Sequence, residues 1–271
     1  MTRRLIALFG VGALALGVAS AGPGAGAARE WKRAAPLPLP RSEVAAATVG
    51  RQLIVVGGFL ADGRRLYVVG GYGAPNRAFV LSRGRWRRLP NLPAPRAAAG
   101  AAIVGRTLYV VGGVARGGLA QRALAFDRTR RRWTQIPGPK PREHLGVSAL
   151  GGRLFAVAGR EAGTNFDTFQ AYLPARRRWV SRPRVPETRG GTDSASVGPL
   201  LVSAGSESAA GTSAAVYAFD VRSRRWRRLP DLPTPRHGLG VLSFGGRVYV
   251  IGGGPSPGLS VSGANEFLQL R

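Results

Sequence analysis

An all-β fold built from repeated four-stranded sheets stacked into a ring is predicted by three observations. The stretch WRRLPDLPTPRHGLGVLSFGGRVYVIGG at 226–253 has a near copy, WRRLPNLPAPRAAAGAAIVGRTLYVVGG, at 86–113, and more divergent copies begin at Trp133 and Trp179. The tryptophans that open these copies, Trp86, Trp133, Trp179 and Trp226, are spaced 47, 46 and 47 residues apart. Each copy carries a proline-bearing segment ending in an arginine and an apolar run ending in Gly-Gly or Ala-Gly. A unit of this size cannot bury its own apolar face, so it must stack on its neighbours.

Within one unit the elements follow from side-chain character. The segment after Pro-Arg, such as Leu239 to Phe244, is small and weakly apolar, as an inner strand crowded around a central channel must be. The next strand, Arg247 to Ile251, is almost continuously apolar, which fits a strand covered on both faces. The glycine pair that ends it turns the backbone where a Cβ would clash. A third strand reads as Ala123 to Asp127, Thr168 to Leu173 and Val216 to Asp220 in successive copies. The fourth begins at each tryptophan, whose ring is expected to fill the gap between units near the outer edge. Segments such as LPNLPAP then suit an outer edge and the crossing to the next unit, because proline cannot donate into a ladder.

This arrangement of Gly-Gly, Trp and Pro-Arg resembles the Kelch repeat, and the resemblance covers residues 31 to 271. It implies a single Kelch-type β-propeller of five four-stranded blades, with six as the alternative count. The ambiguity lies in the first unit, where LIVVGG at 53–58 and LYVVGG at 66–71 follow each other closely, as an inserted hairpin or a largely deleted sixth blade. Five tryptophans favour five blades. The chain stops after Ala264 to Leu270, where the next tryptophan is due, and Trp31-Lys32-Arg33 with Pro36 to Pro40 supplies the missing strand. The N-terminal strand is therefore expected to close the last blade.

Residues 1–28 read as a signal peptide and flexible lead-in, and 29–271 as the propeller. Thr2-Arg3-Arg4 is basic, Leu5 to Val18 is uncharged and apolar, and Ala19-Ser20-Ala21 offers small residues for cleavage. The apolar run is shorter than the ~20 residues that span a bilayer. A secreted or envelope-associated monomer, without a membrane span after cleavage, is the expectation. With no cysteine, neither disulfides nor an N-terminal lipid anchor on cysteine can form.

The formal net charge of +27 comes almost wholly from arginine, since Lys32 and Lys140 are the only lysines. With the Ala/Gly/Pro bias this points to a GC-rich coding sequence, and no nucleic-acid motif accompanies it, so nucleic acid is not the expected partner. The charge is nonetheless patterned. RTRRRW, ARRRW, RSRRW and RGRW put arginines in one hairpin of each blade, and Gly50-Arg51, Gly105-Arg106, Gly152-Arg153 and Gly246-Arg247 put them in another. In an antiparallel blade both turns emerge at the same end, giving either a solvated rim or a face attracted to anionic surfaces.

On the other face, Arg41, Arg96, Arg142, Arg189 and Arg236 occur one per blade and are candidates to ring the channel mouth with His144 and His237. In peptide-binding Kelch domains, arginines near this position contact acidic ligands; the structural alternative is that each ties one blade to the next. Variable loops between the second and third strands share this face and are the expected seat of specificity. Two histidines are too few for a zinc or copper site without carboxylates, so no metal or cofactor is expected. The expected function is non-enzymatic binding of a protein or anionic envelope ligand. The alternative is a sugar-modifying enzyme resembling the Kelch-fold sialic acid epimerases, with His144 or His237 and Glu143 or Glu43 as acid and base.

Overall fold

The computed structural model describes residues 29–40, 43–49, 52–56, 59–61 and 65–271. Five four-stranded antiparallel sheets form the blades of a β-propeller, and no α-helix occurs among the described residues. Blade 1 is Phe59–Ala61, Leu66–Val69, Ala78–Ser82 and Arg85–Arg88, from the channel outward. Blade 2 is Gly100–Val104, Thr107–Val111, Arg122–Asp127 and Arg132–Pro137. Blade 3 is Gly146–Leu150, Arg153–Val157, Phe169–Leu173 and Arg178–Ser181. Blade 4 is Asp193–Val197, Leu200–Ala204, Val216–Asp220 and Arg225–Leu229.

Blade 5 is Gly240–Phe244, Arg247–Ile251 and Asn265–Gln269, closed by Trp31–Arg33. Trp31 stands opposite Leu268 and Arg33 opposite Glu266, so both ends of the described chain complete one sheet. The ambiguous first unit resolves into a separate two-stranded hairpin, Ala45–Val49 with Gln52–Val56. Its inner strand lies between the inner strands of blades 5 and 1, as the stub of a further blade with no third or fourth strand among the described residues. The segment 1–28, Arg41 and the Gly50-Arg51 turn lie outside the described residues.

Apolar side chains of neighbouring blades interlock. Leu145, Val147 and Leu154 of blade 3 pack with Tyr109, Val111 and Ala125 of blade 2, and blades 4 and 5 share Val202, Val216, Val241 and Val250. Glycine permits the close approach. A Cβ on Gly240 would stand 2.7 Å from the amide nitrogen of Ala46, and one on Gly112 (φ 66°) would stand 2.6 Å from the carbonyl oxygen of Arg142. The two basic turns of a blade also meet: in blade 2 the Arg128 amide and Nε donate to the Arg106 carbonyl. The two arginine sets therefore share one face.

Candidate functional site

The opposite face is organised by the proline-arginine segments. Arg96, Arg142, Arg189 and Arg236 are almost wholly buried, and their guanidinium groups reach into their own blades. Arg142 donates from Nε to the Ala158 carbonyl at 2.5 Å and from Nη2 to that of Ala156 at 3.1 Å. Arg236 binds Glu266 at 2.7 Å and the Val250 carbonyl at 3.1 Å, Arg189 binds the Ser203 and Ala215 carbonyls, and Arg96 that of Arg122. Their backbone carbonyls face the other way: those of Arg96, Arg142 and Arg189 accept from Gly71, Gly113 and Gly159 of the preceding blades. Each arginine thus fastens one blade to the one before it. Burial lowers Arg142 and Arg189 to about 10, which leaves them charged at neutral pH. These four groups are not brought together at the channel mouth, although Arg96 borders the cavity.

The residue two positions after each arginine is left-handed: Glu43, Ala98, His144, Gly191 and Gly238 have φ of 52°, 50°, 48°, 69° and 56°. That turn aligns the backbone into a hoop. The His144 amide donates to Ala98, Gly191 to His144, Gly238 to Gly191 and Val44 to Gly238, at 2.9–3.1 Å. Three short hairpins rise beyond the hoop, Val114–Ala115 with Gly118–Leu119, Arg160–Glu161 with Thr164–Asn165, and Glu207–Ser208 with Gly211–Thr212.

Side chains from the hoop and two of these hairpins form a closed ring in which basic and acidic residues alternate. His144 Nε2 lies 3.2 Å from Glu43, and its Nδ1 lies 3.2 Å from Glu143, close enough for attraction though not aligned for a hydrogen bond. Glu143 pairs with Arg160 Nε at 3.3 Å, and Arg160 Nη1 with Glu207 at 2.5 Å. His237 Nδ1 stands 3.3 Å from Glu207 and 3.8 Å from Glu43, while its Nε2 contacts the Ser256 carbonyl at 3.1 Å. Burial disfavours a charged His144, but Glu143 and Glu43 outweigh it and raise the imidazole to about 9. The contact with His144 in turn holds Glu43 and Glu143 below the usual carboxylate range, against the effect of burial.

Beneath the ring lies the central channel, a cavity of about 610 Å3 lined largely by alanine, valine and serine. Asp193 occupies the place that Gly100, Gly146 and Gly240 hold in other inner strands. Its Oδ2 accepts from the Val241 amide at 2.9 Å and its Oδ1 from the Ser194 amide at 2.7 Å. Burial raises its carboxyl to about 7, against those two donors.

Of the residues singled out in the sequence, the structure brings His144, His237, Glu43 and Glu143 together. It adds Arg160, Glu207 and Asp193, which sequence reasoning missed. The signal for Arg160 and Glu207 was a charge just past the second strand, in loops read only as variable. Among the described residues no group of three or more His, Asp or Glu side chains is arranged to hold a metal ion. No helix among them is long and apolar enough to cross a membrane.

The family model for the KLHDC2/KLHL20/DRC7 Kelch-repeats domain matches residues 60–253. The chain is also similar to the Kelch-like protein terF of Aspergillus terreus, with 28% identity over 190 residues that cover 68% of this chain and 32% of the fungal protein. It therefore spans about a third of that relative's length. Kelch propellers suit protein binding, through variable loops on a rigid ring. With the repeat, the closed ring of blades and the family match in agreement, this chain belongs to the Kelch-repeat family.

Proposed function

We propose that this chain is an exported binding module without a catalytic task, held to an anionic polymer of the cell envelope by its arginine face and offering the loop face to a protein. The observation that carries the reading is the backbone of Arg131, Arg177 and Arg224, with φ of 52°, 48° and 58°. A side chain in this region costs about 1 kcal/mol or more relative to glycine. Gly84 stands at the corresponding place in blade 1, two residues before the tryptophan. Glycine codons are as rich in G and C as those of arginine, so compositional drift does not account for three arginines here. Arg130, Arg131, Arg177, Arg178, Arg224 and Arg225 are exposed and make no ion pair among the described residues.

The epimerase-like alternative is weakened by His144, because an acid–base group works best with a pKa near the operating pH. Two carboxylates keep this imidazole charged to about 9. The test is a triple variant, Arg131→Gly, Arg177→Gly and Arg224→Gly, applied to polyphosphate-coated resin. It should elute at lower salt than the native chain and melt at a higher temperature. Unchanged elution would sink the anionic-polymer reading.

A further inference from the structure

Each tryptophan that opens an outermost strand is covered by the blade before it, with one exception. Trp133, Trp179, Trp226 and Trp31 donate their indole N–H to the carbonyls of Pro90, Pro137, Pro183 and Pro230 at 2.8–2.9 Å. Every acceptor is a proline at or just past the end of the preceding blade's outermost strand. The unit before Trp86 is the two-stranded hairpin, which has no such strand and no such segment among the described residues. The Trp86 indole makes no hydrogen bond among the described residues, Trp86 is 51% exposed, and every residue of its strand is exposed. Among the described residues the hairpin's outer strand, Gln52–Val56, is paired along one edge only, and its second edge has no strand partner.

We infer that this gap is a docking site for an extended, proline-bearing segment of a partner protein, which occupies the place of the missing outer strands and lays a carbonyl on the Trp86 indole. The chain itself shows four times what covers this tryptophan. Addition of a strand to an open sheet edge is a general mode of peptide capture, with main-chain bonds giving affinity and side-chain pockets giving selectivity. Trp86 supplies a large apolar anchor with one N–H to satisfy. The exposed neighbours Arg85 and Arg87 favour an acidic segment. A second copy of this chain is the poorer occupant, since its own outer strands, Arg85–Arg88 and Arg225–Leu229, would bring like charge into the gap. This surface adjoins only the turn of blade 1 and leaves out Arg131, Arg177 and Arg224, so its failure and theirs are distinguishable.

The test is a display library of random peptides panned against the full mature chain and counter-selected on Trp86→Ala. Because Trp86 is exposed, the variant should keep the native circular dichroism. The expected result is a set of acidic, proline-containing peptides whose affinity falls at least about tenfold on Trp86→Ala, or ~1.4 kcal/mol, and survives the triple glycine variant. A second variant fills the gap from within, by inserting a copy of residues 214–235 between Val56 and Phe59. It should melt higher and no longer bind those peptides. Absence of any peptide that distinguishes native chain from Trp86→Ala would overturn the inference, as would a native dimer in sedimentation that Trp86→Ala dissociates.

Discussion

Arg160 and Glu207 meet at 2.5 Å across the channel mouth and join blade 3 to blade 4. Both are largely buried, and each has a second partner, Glu143 for Arg160 and His237 for Glu207. Removing one member leaves the others facing unbalanced charge in a partly dry setting, which costs more than the pair gains over a neutral substitute. Arg160→Ala should lose about 2–4 kcal/mol in urea denaturation. The Arg160→Met and Glu207→Leu double variant should recover much of that loss, and equal losses in single and double variants would refute a coupled ring.

The stability supplied by His144 has a defined pH window. Its folded value of about 9 lies above the ordinary value of 6.5, so the folded state holds the proton more tightly. The contribution is full below pH ~6.5 and is lost as pH rises through ~9. Native protein should therefore exceed His144→Gln by at most about 3 kcal/mol at pH 6, with the difference fading by pH 10. A difference independent of pH would mean that the imidazole acts by packing alone.

Asp193 works in the opposite sense. Its folded carboxyl, raised to about 7 from 3.8, resists ionisation, so stability falls as pH rises from ~4 to ~7 and is level above. Asp193→Asn keeps an oxygen for the Val241 amide and removes the charge. The variant should melt above the native protein at pH 8, by ~1–3 kcal/mol once channel water is allowed for, and match it near pH 4. Melting curves across that range decide it.

Arg142→Ala should cost at least about 3 kcal/mol, because the carbonyls of Ala156 and Ala158 would lose their donor inside the blade. Arg142→Lys should recover little, since an ammonium cannot reproduce the planar fork. Near-native stability of Arg142→Ala would restore these arginines as candidates for ligand contact.

Deleting residues 29–40 removes the closing strand and the Trp31 bond to Pro230. The loss should be about 3–5 kcal/mol, in the range for removing a packed tryptophan side chain. Stability equal to that of the undeleted chain would mean that the fifth blade stands without it.

The repeat made most of the fold legible. Constant offsets from each tryptophan located the strands to within a residue or two, and the missing final tryptophan located the closure. The direction of an arginine side chain was not legible. Spacing places Arg142 and its counterparts at the crossing between blades, but only the turn geometry shows the carbonyl facing one blade and the guanidinium entering the other. The charged ring escaped for a different reason. His144 and His237 sit at different offsets from their arginines, and Arg160 and Glu207 lie in loops with no shared pattern, so periodicity gives no sign that they converge. Trp86 looks like its counterparts in sequence. It differs because of what is missing from the unit before it.

Trp31–Arg33 pairs with Asn265–Gln269, the first described strand with the last. During synthesis that first strand has no partner until residues 265–269 have been made, and closing so long a loop is the slowest kind of contact to form. Blades 1 to 4 can assemble on neighbours already present, yet the ring stays an open arc with two exposed edges. Final closure is therefore the last step in assembling the ring. Until then the arc is the species exposed to proteases, chaperones and edge-to-edge association.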